Sequence, residues 1–245
     1  MLIEVCANSH ESAKNAALAG ADRIELCSEL GVGGVTPSYG VVKRVMNELN
    51  ITTHVLIRPR SGNFVFSDEE FKCMEEDIKL CKSLGCQGVV SGVLNKDNTI
   101  DQERTKKLID LAFPMSFTFH RAIDLVPDPI RSITVLENLG VHCVLSSGQH
   151  AKAEDGLLIL EQMRKAANKI TIMPGSGINS NNISSFENSG FKAVHFSAIR
   201  AVETNVESSL KASLSFITLK LLEKNTSWVS NKIAIESVIA QLKNR

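Results

Sequence analysis

Short apolar runs rich in β-branched residues alternate along this chain with stretches whose apolar positions recur every three or four residues. The alternation happens eight times, with strand-like runs at 2–7, 23–27, 53–59, 88–93, 116–121, 143–148, 170–175 and 193–198. The first helical stretch opens on Ser9 and stops at Gly20, an ordinary cap and an ordinary terminator. In the third, Ser67 and Glu70 form a capping-box pattern, and Phe71, Met74, Ile78 and Cys81 share one helical face. Cys81 therefore reads as core. Strict β-α alternation predicts parallel strands joined by right-handed crossovers. Eight units completed by residue 198 fit a closed α/β barrel, the (β/α)8 or TIM barrel, better than an open doubly wound sheet. No G-x-G-x-x-G follows the first strand, so no nucleotide cofactor is expected.

The 245 residues read as a single domain, 1–245, with the barrel running to about 225 and a C-terminal helical extension at about 231–243. The pattern loosens in a Ser-, Asn- and Glu-rich stretch at 204–209. The tail is expected to hold the eighth barrel helix and an appended segment whose packing partner the sequence leaves open. A chain of this length buries enough apolar surface to stand without a disulfide or metal staple.

Charge narrows the function classes. Lys plus Arg and Asp plus Glu both total 27, so the formal net charge is zero, and no basic tract occurs. Nucleic acid and anionic membrane are thereby poor candidates for the main partner. Apolar runs are too short to span a bilayer, and the opening Met1-Leu2-Ile3-Glu4-Val5-Cys6 lacks a basic n-region. A soluble, cytoplasmic protein is expected, with the nucleus left open. Six cysteines, at 6, 27, 73, 81, 86 and 143, are too sparse for a disulfide scaffold and include no C-x-x-C. In such a compartment they stay reduced, most of them as small buried apolar residues.

Barrel chemistry sits at the carboxyl ends of the strands, and residues two apart along a strand share a face. Val5, Ile24, Leu26, Phe117, Phe119, Val194 and Phe196 suit the outer face toward the helices. Glu4, Cys6, Glu25, Cys27, His120, His195 and Ser197 then point inward or into the mouth. Inward glutamates need cations, and Arg58 is the expected partner. His120, Glu25, Arg58 and Asp124 form a candidate catalytic set. His120 serves as acid or base because an imidazole needs little tuning at neutral pH. Arg58 and Arg60 could clamp an anion, and Gly175-Ser176-Gly177 with Ser197 could cradle phosphate or carboxylate. The plainer alternatives are a structural ion-pair network and a tight β-α turn. Cys6 and Cys27, on adjacent strands, stand about 4.8 Å apart if the register matches, a pairing that suits a soft ion such as Cu(I). Two buried cysteines filling the barrel are the alternative. His142 and Cys143 point to opposite faces and make poor co-ligands.

Several of these segments together resemble one family, the CutC copper homeostasis proteins. They are Glu4-Val5-Cys6, Ala19-Gly20-Ala21-Asp22-Arg23-Ile24-Glu25-Leu26-Cys27, Gly33-Gly34-Val35-Thr36-Pro37-Ser38 and Ile57-Arg58-Pro59-Arg60-Ser61-Gly62. The likeness continues through Phe119-His120-Arg121-Ala122-Ile123-Asp124, Leu145-Ser146-Ser147-Gly148, Met173-Pro174-Gly175-Ser176-Gly177-Ile178 and His195-Phe196-Ser197-Ala198. It covers residues 1 to about 200 in order. The resemblance implies a barrel, a cytoplasmic setting, a homo-oligomer (dimer or tetramer) and a role in copper handling. It also makes Cys6 and Cys27 the candidate Cu(I) ligands. Ile123 stands where an aromatic residue is usual, and Asn98 replaces a glycine in the Asp97 turn. A plain copper carrier would need no rim of Glu25, Arg58, Arg60, His120, Arg121, Asp124, His195 and Ser197. That excess keeps a second reading open: a barrel enzyme of undefined reaction on a small anionic metabolite.

Overall fold

The computed structural model describes residues 1–203 and 226–243. Its centre is an eight-stranded parallel sheet: β1 (Leu2–Ala7), β2 (Arg23–Leu26), β3 (Thr52–Leu56), β4 (Gly88–Ser91), β5 (Ser116–Phe119), β6 (Cys143–Ser146), β7 (Thr171–Pro174) and β8 (Ala193–Phe196). Neighbours in sequence pair in space, β1 also pairs with β8, and a parallel bridge between Gly175 and His195 brings β7 against β8. The sheet thus closes into the (β/α)8 barrel.

Seven of the eight strands end one to three residues before the predicted runs do. The residues just past these strand ends include Cys27, Arg58, His120, Gly175 and Ser197, at the carboxyl end of the barrel.

Helices α1 (His10–Leu18), α2 (Tyr39–Glu48), α3 (Asp68–Ser83), α4 (Gln102–Ala112), α5 (Pro129–Leu139), α6 (Leu157–Ala166) and α7 (Ile183–Asn188) separate the strands. Local chemistry fixes their ends. The Ser9 hydroxyl accepts the Ser12 N–H, and the capping box at Ser67 and Glu70 is fully formed. Pro129 opens α5 and Gly140, at φ 96°, closes it. Asn98 sits at φ 62°, the left-handed backbone a glycine substitute must tolerate.

Strand alternation sorts the core as anticipated. Val5, Ile24, Leu26, Phe117, Phe119 and Val194 are fully buried between sheet and helices. Each such side chain contributes roughly 1.5–3 kcal/mol of burial. Inside the barrel lie two small apolar groups, Cys6, Cys27, Leu56 and Val90 toward the rim, and Cys143, Leu145, Met173 and Ala193 below. Cys81 is core, as its helical spacing indicates.

The tail differs from expectation. After β8 the chain forms β9 (Ile199–Glu203), which pairs antiparallel with β10 (Thr226–Ser230). The final helix, α8 (Lys232–Lys243), packs between α7 and α1, burying Ile235, Val238 and Ile239. Ser230 pins its start, donating to Ser12 Oγ at 3.0 Å and accepting from Asn15 at 3.0 Å. The helical extension therefore fills the position of an eighth barrel helix. The 204–209 stretch, and any helix before 226, lie outside the described residues. Among those described, no helix is long and apolar enough to cross a membrane.

Candidate functional site

At the carboxyl end of the strands opens a cavity of about 330 Å3, lined among others by Cys6, Glu25, Arg58, His120, His195 and Ser197. Cys6 and Glu25 sit directly opposite each other in the β1–β2 register. Cys27 is therefore one inward position higher than Cys6, not level with it. The twist of the pair still brings the two Sγ atoms to 3.6 Å. Cys27 is fully buried, whereas Cys6 reaches the cavity wall. A hydrogen bond to Cys27, burial, and the nearby Glu25 and Glu4 carboxylates push the Cys6 thiol well above its usual pKa.

The inward glutamates do not pair with Arg58. Glu4, wholly buried, takes the Arg23 Nε at 2.5 Å and the His195 Nδ1 at 2.8 Å. Burial alone would raise its pKa. The hydrogen bond and charge of His195, with the Arg23 guanidinium, overcome that and hold it at about 2. Because an ionised carboxylate only accepts, His195 must donate from Nδ1. Glu25 has no such partner. Its Oε1 meets only the Cys6 thiol at 3.9 Å and its Oε2 has no hydrogen bond. Burial drives its pKa up to about 7 against the pull of His195. The His195 pKa is raised in turn: burial opposes this, but the Glu25 charge and the Glu4 hydrogen bond prevail. One donor atom each from Cys6, Glu25 and His195 lie within 4.8 Å of one another.

Arg58 is instead a staple of the rim. It donates to the carbonyls of Val32, Gly34 and Gly62 at 3.0, 2.7 and 2.7 Å and stacks on Phe64. The backbone groups of the β2–α2 and β3–α3 loops outcompete the distant glutamates for its guanidinium. Its Nε has no partner. His120 is held in a different way. Its Nδ1 accepts the Ala122 N–H at 3.3 Å, its ring packs on Phe64, and its Nε2 is buried without a partner. Burial and then the Arg58 charge drop its pKa to about 3, so at neutral pH it is an N–H donor rather than a titrating acid or base. Gly92 makes room for this ring, since a Cβ there would lie 2.7 Å from His120 Nδ1.

Other predicted residues are committed elsewhere. Arg60 turns to Glu70, Nε to Oε1 at 2.5 Å, and to the Asn63 and Val65 carbonyls. Asp124 accepts from Ser146, Ser147 and Arg121 and fixes the β5–β6 rim. Neither lines the cavity. In the glycine-rich turn, the Gly175 N–H goes to Ser146 O and the Ser176 hydroxyl to Ala151 O. A Cβ on Gly175 would come within 2.5 Å of Leu145 and 3.3 Å of His195, so barrel closure demands that glycine. Ser176 and Gly177, at φ 92° and 74°, do line the cavity, as does Ser197. Arg23 was overlooked, although it sits two residues before Glu25 on the same inward face.

Comparison with known proteins places this geometry. The sequence profile of the CutC family matches residues 1–200. A family protein CutC of Salmonella agona is 43% identical over 197 residues, 80% of this chain and 79% of that protein. The Salmonella paratyphi A counterpart is 42% identical over the same length and coverage. A crystal structure from Streptococcus agalactiae, described as a copper homeostasis protein CutC, superposes with a TM-score of 0.75 at 35% identity. The match covers 80% of this chain and 98% of that one. A thiamine phosphate pyrophosphorylase from Pyrococcus furiosus, at 13% identity and a TM-score of 0.60, shares the fold alone. With the profile and its relatives spanning all eight strands and the rim that carries the cysteine pair, the chain belongs to the CutC family.

Proposed function

We propose that this protein serves copper homeostasis by binding Cu(I) as cargo between the Cys6 and Cys27 thiolates, in a reducing cytoplasm. The carrying observation is the 3.6 Å separation of the two Sγ atoms at the edge of the rim cavity. With metal–sulfur bonds of about 2.3 Å, two thiolates of one ion stand no more than about 4.6 Å apart. The pair fits that limit as it stands, and soft thiolates favour Cu(I) over harder ions. His195, held by Glu4 as in a carboxylate–histidine–metal triad, also belongs with Cys6 and Glu25 to a set of donor atoms within 4.8 Å of one another. Entry runs past Cys6, the cysteine that reaches the cavity. Because the Cys6 thiol is protonated at neutral pH, binding releases protons, and affinity rises with pH. The description of the Streptococcus agalactiae relative as a copper homeostasis protein supports the reading. All six cysteines are free, as a reducing compartment requires. A Cu(I) titration under reducing conditions against a competing chelator tests it. One tightly bound ion, lost in Cys6→Ser/Cys27→Ser, supports the proposal, and binding that ignores the double substitution refutes it.

One observation favours a second reading, an enzyme acting on a small anionic metabolite. Glu25 Oε2, Arg58 Nε and His120 Nε2 are buried, lack protein partners and belong to residues lining the same cavity. Three such groups around one opening are costly unless a ligand meets them. In this reading Glu25, with a pKa of about 7, is the proton acceptor, and the neutral His120 Nε2–H donates to the ligand. Arg58 contributes charge, and Ser197 with Gly177 lines the anion end. Loss of ligand binding in His120→Ala, with copper binding intact, would favour this reading over the first.

A further inference from the structure

A second cavity, of about 230 Å3, opens at the opposite, amino-terminal end of the barrel. Its wall includes Arg23, His54, Thr118, His142, Cys143 and Lys192, and no carboxylate. Glu4, ion-paired with Arg23 and His195, does not line it. Burial pushes the Cys143 thiol up to about 12, so it carries no charge either. What remains is a set of donors. The Phe117 N–H donates to His142 Nδ1 at 3.1 Å, which fixes the imidazole proton on Nε2. Arg23 and Lys192 supply positive charge.

Two buried groups make this more than a basic surface. His54 is 3% exposed and Thr118 is fully buried, and both line the cavity. His54 Nδ1 and the Thr118 hydroxyl have no hydrogen-bond partner of good geometry, and Thr118 has only the Cys143 thiol for company. Buried polar atoms in this state call for a ligand or ordered water. The space is large enough for a tetrahedral oxyanion together with several waters.

We infer that this cavity is a second binding site, separate from the rim, for an oxyanion such as phosphate held by Arg23, Lys192, His142 Nε2–H and the Thr118 hydroxyl. The site depends on neither reading of the rim.

The test is a calorimetric titration of the full chain with inorganic phosphate in phosphate-free buffer. Lys192→Gln removes an exposed cation without touching the core. Thr118→Val keeps the shape and removes a hydroxyl whose one protein contact is the Cys143 thiol, so folding is spared. One phosphate per chain, weakened about tenfold or more by either substitution and unaffected by Ser197→Ala at the rim, is the expected result. Absence of phosphate binding overturns the inference. So does binding that survives both substitutions and disappears in Ser197→Ala.

Discussion

Glu25→Gln should stabilise this protein above neutral pH, contrary to the usual effect of removing a buried polar partner. The Glu25 carboxyl is buried, its Oε2 has no hydrogen bond, and its pKa stands at about 7 against an ordinary value of 4.5. A group whose folded pKa is raised favours the native state fully only below its unfolded pKa. Between pH 4.5 and 7 the unfolded chain ionises while the folded one resists, and stability falls by about 1.4 kcal/mol per pH unit. The accumulated loss is about 3 kcal/mol, and it levels off above pH 7. Glutamine keeps the shape and has no charge to desolvate. The variant should therefore match the wild type near pH 4.5 and exceed it by about 3 kcal/mol at pH 8. Equilibrium urea denaturation at the two pH values, followed by far-ultraviolet circular dichroism, measures the difference. A variant less stable at pH 8, or one whose difference is equal at both pH values, would refute the reasoning. A carboxylate that costs stability at working pH is an expected mark of a functional site.

Glu4→Gln should do the opposite. With its pKa held at about 2, Glu4 contributes about 3 kcal/mol above pH 4.5, lost as pH falls toward 2, so the same urea series should show the variant's deficit shrinking in acid. Gly92→Ala drives a methyl into the His120 ring and should cost about 1–3 kcal/mol, with a shift of the His120 imidazole resonances as its signature. Glu137 accepts the backbone N–H groups of Asn168, Lys169 and Ile170, which hold its pKa at about 2. Glu137→Ala should cost about 1–2 kcal/mol at pH 7, discounted for its solvent contact, and nothing below pH 2. Thermal melts at the two pH values decide it.

The barrel was legible because its evidence is local and repeated. Eight apolar runs, separated by amphipathic stretches, leave few ways to bury both faces of a sheet. Inward alternation also pointed to Cys6, Glu25, His120 and His195, which line the cavity, and to Cys27, buried behind Cys6. Pairing was less legible. Arg58 looked like the counter-ion for the glutamates because it is cationic and near a strand end. The choice between Arg58 and Arg23 depends on shear between strands, which sets Glu4 beside Arg23. The same shear puts Cys6 level with Glu25, and side-chain reach across the twist then closes the thiol gap. The neutral state of His120 depends on how deeply Phe64 and the Arg58 staple bury its ring, and both belong to a different strand's loop. In the tail, the short Ile199–Glu203 strand pairs only with a segment more than twenty residues later, a contact that no local period encodes.

Copper K-edge X-ray absorption of the Cu(I)-loaded protein tests the central claim most directly. Sulfur scattering that corresponds to two thiolates, reduced by half in Cys6→Ser and reduced likewise in Cys27→Ser, is the result this account predicts. A first shell of nitrogen and oxygen only, or one that neither substitution changes, would contradict it and move the function to the Glu25, Arg58 and His120 rim.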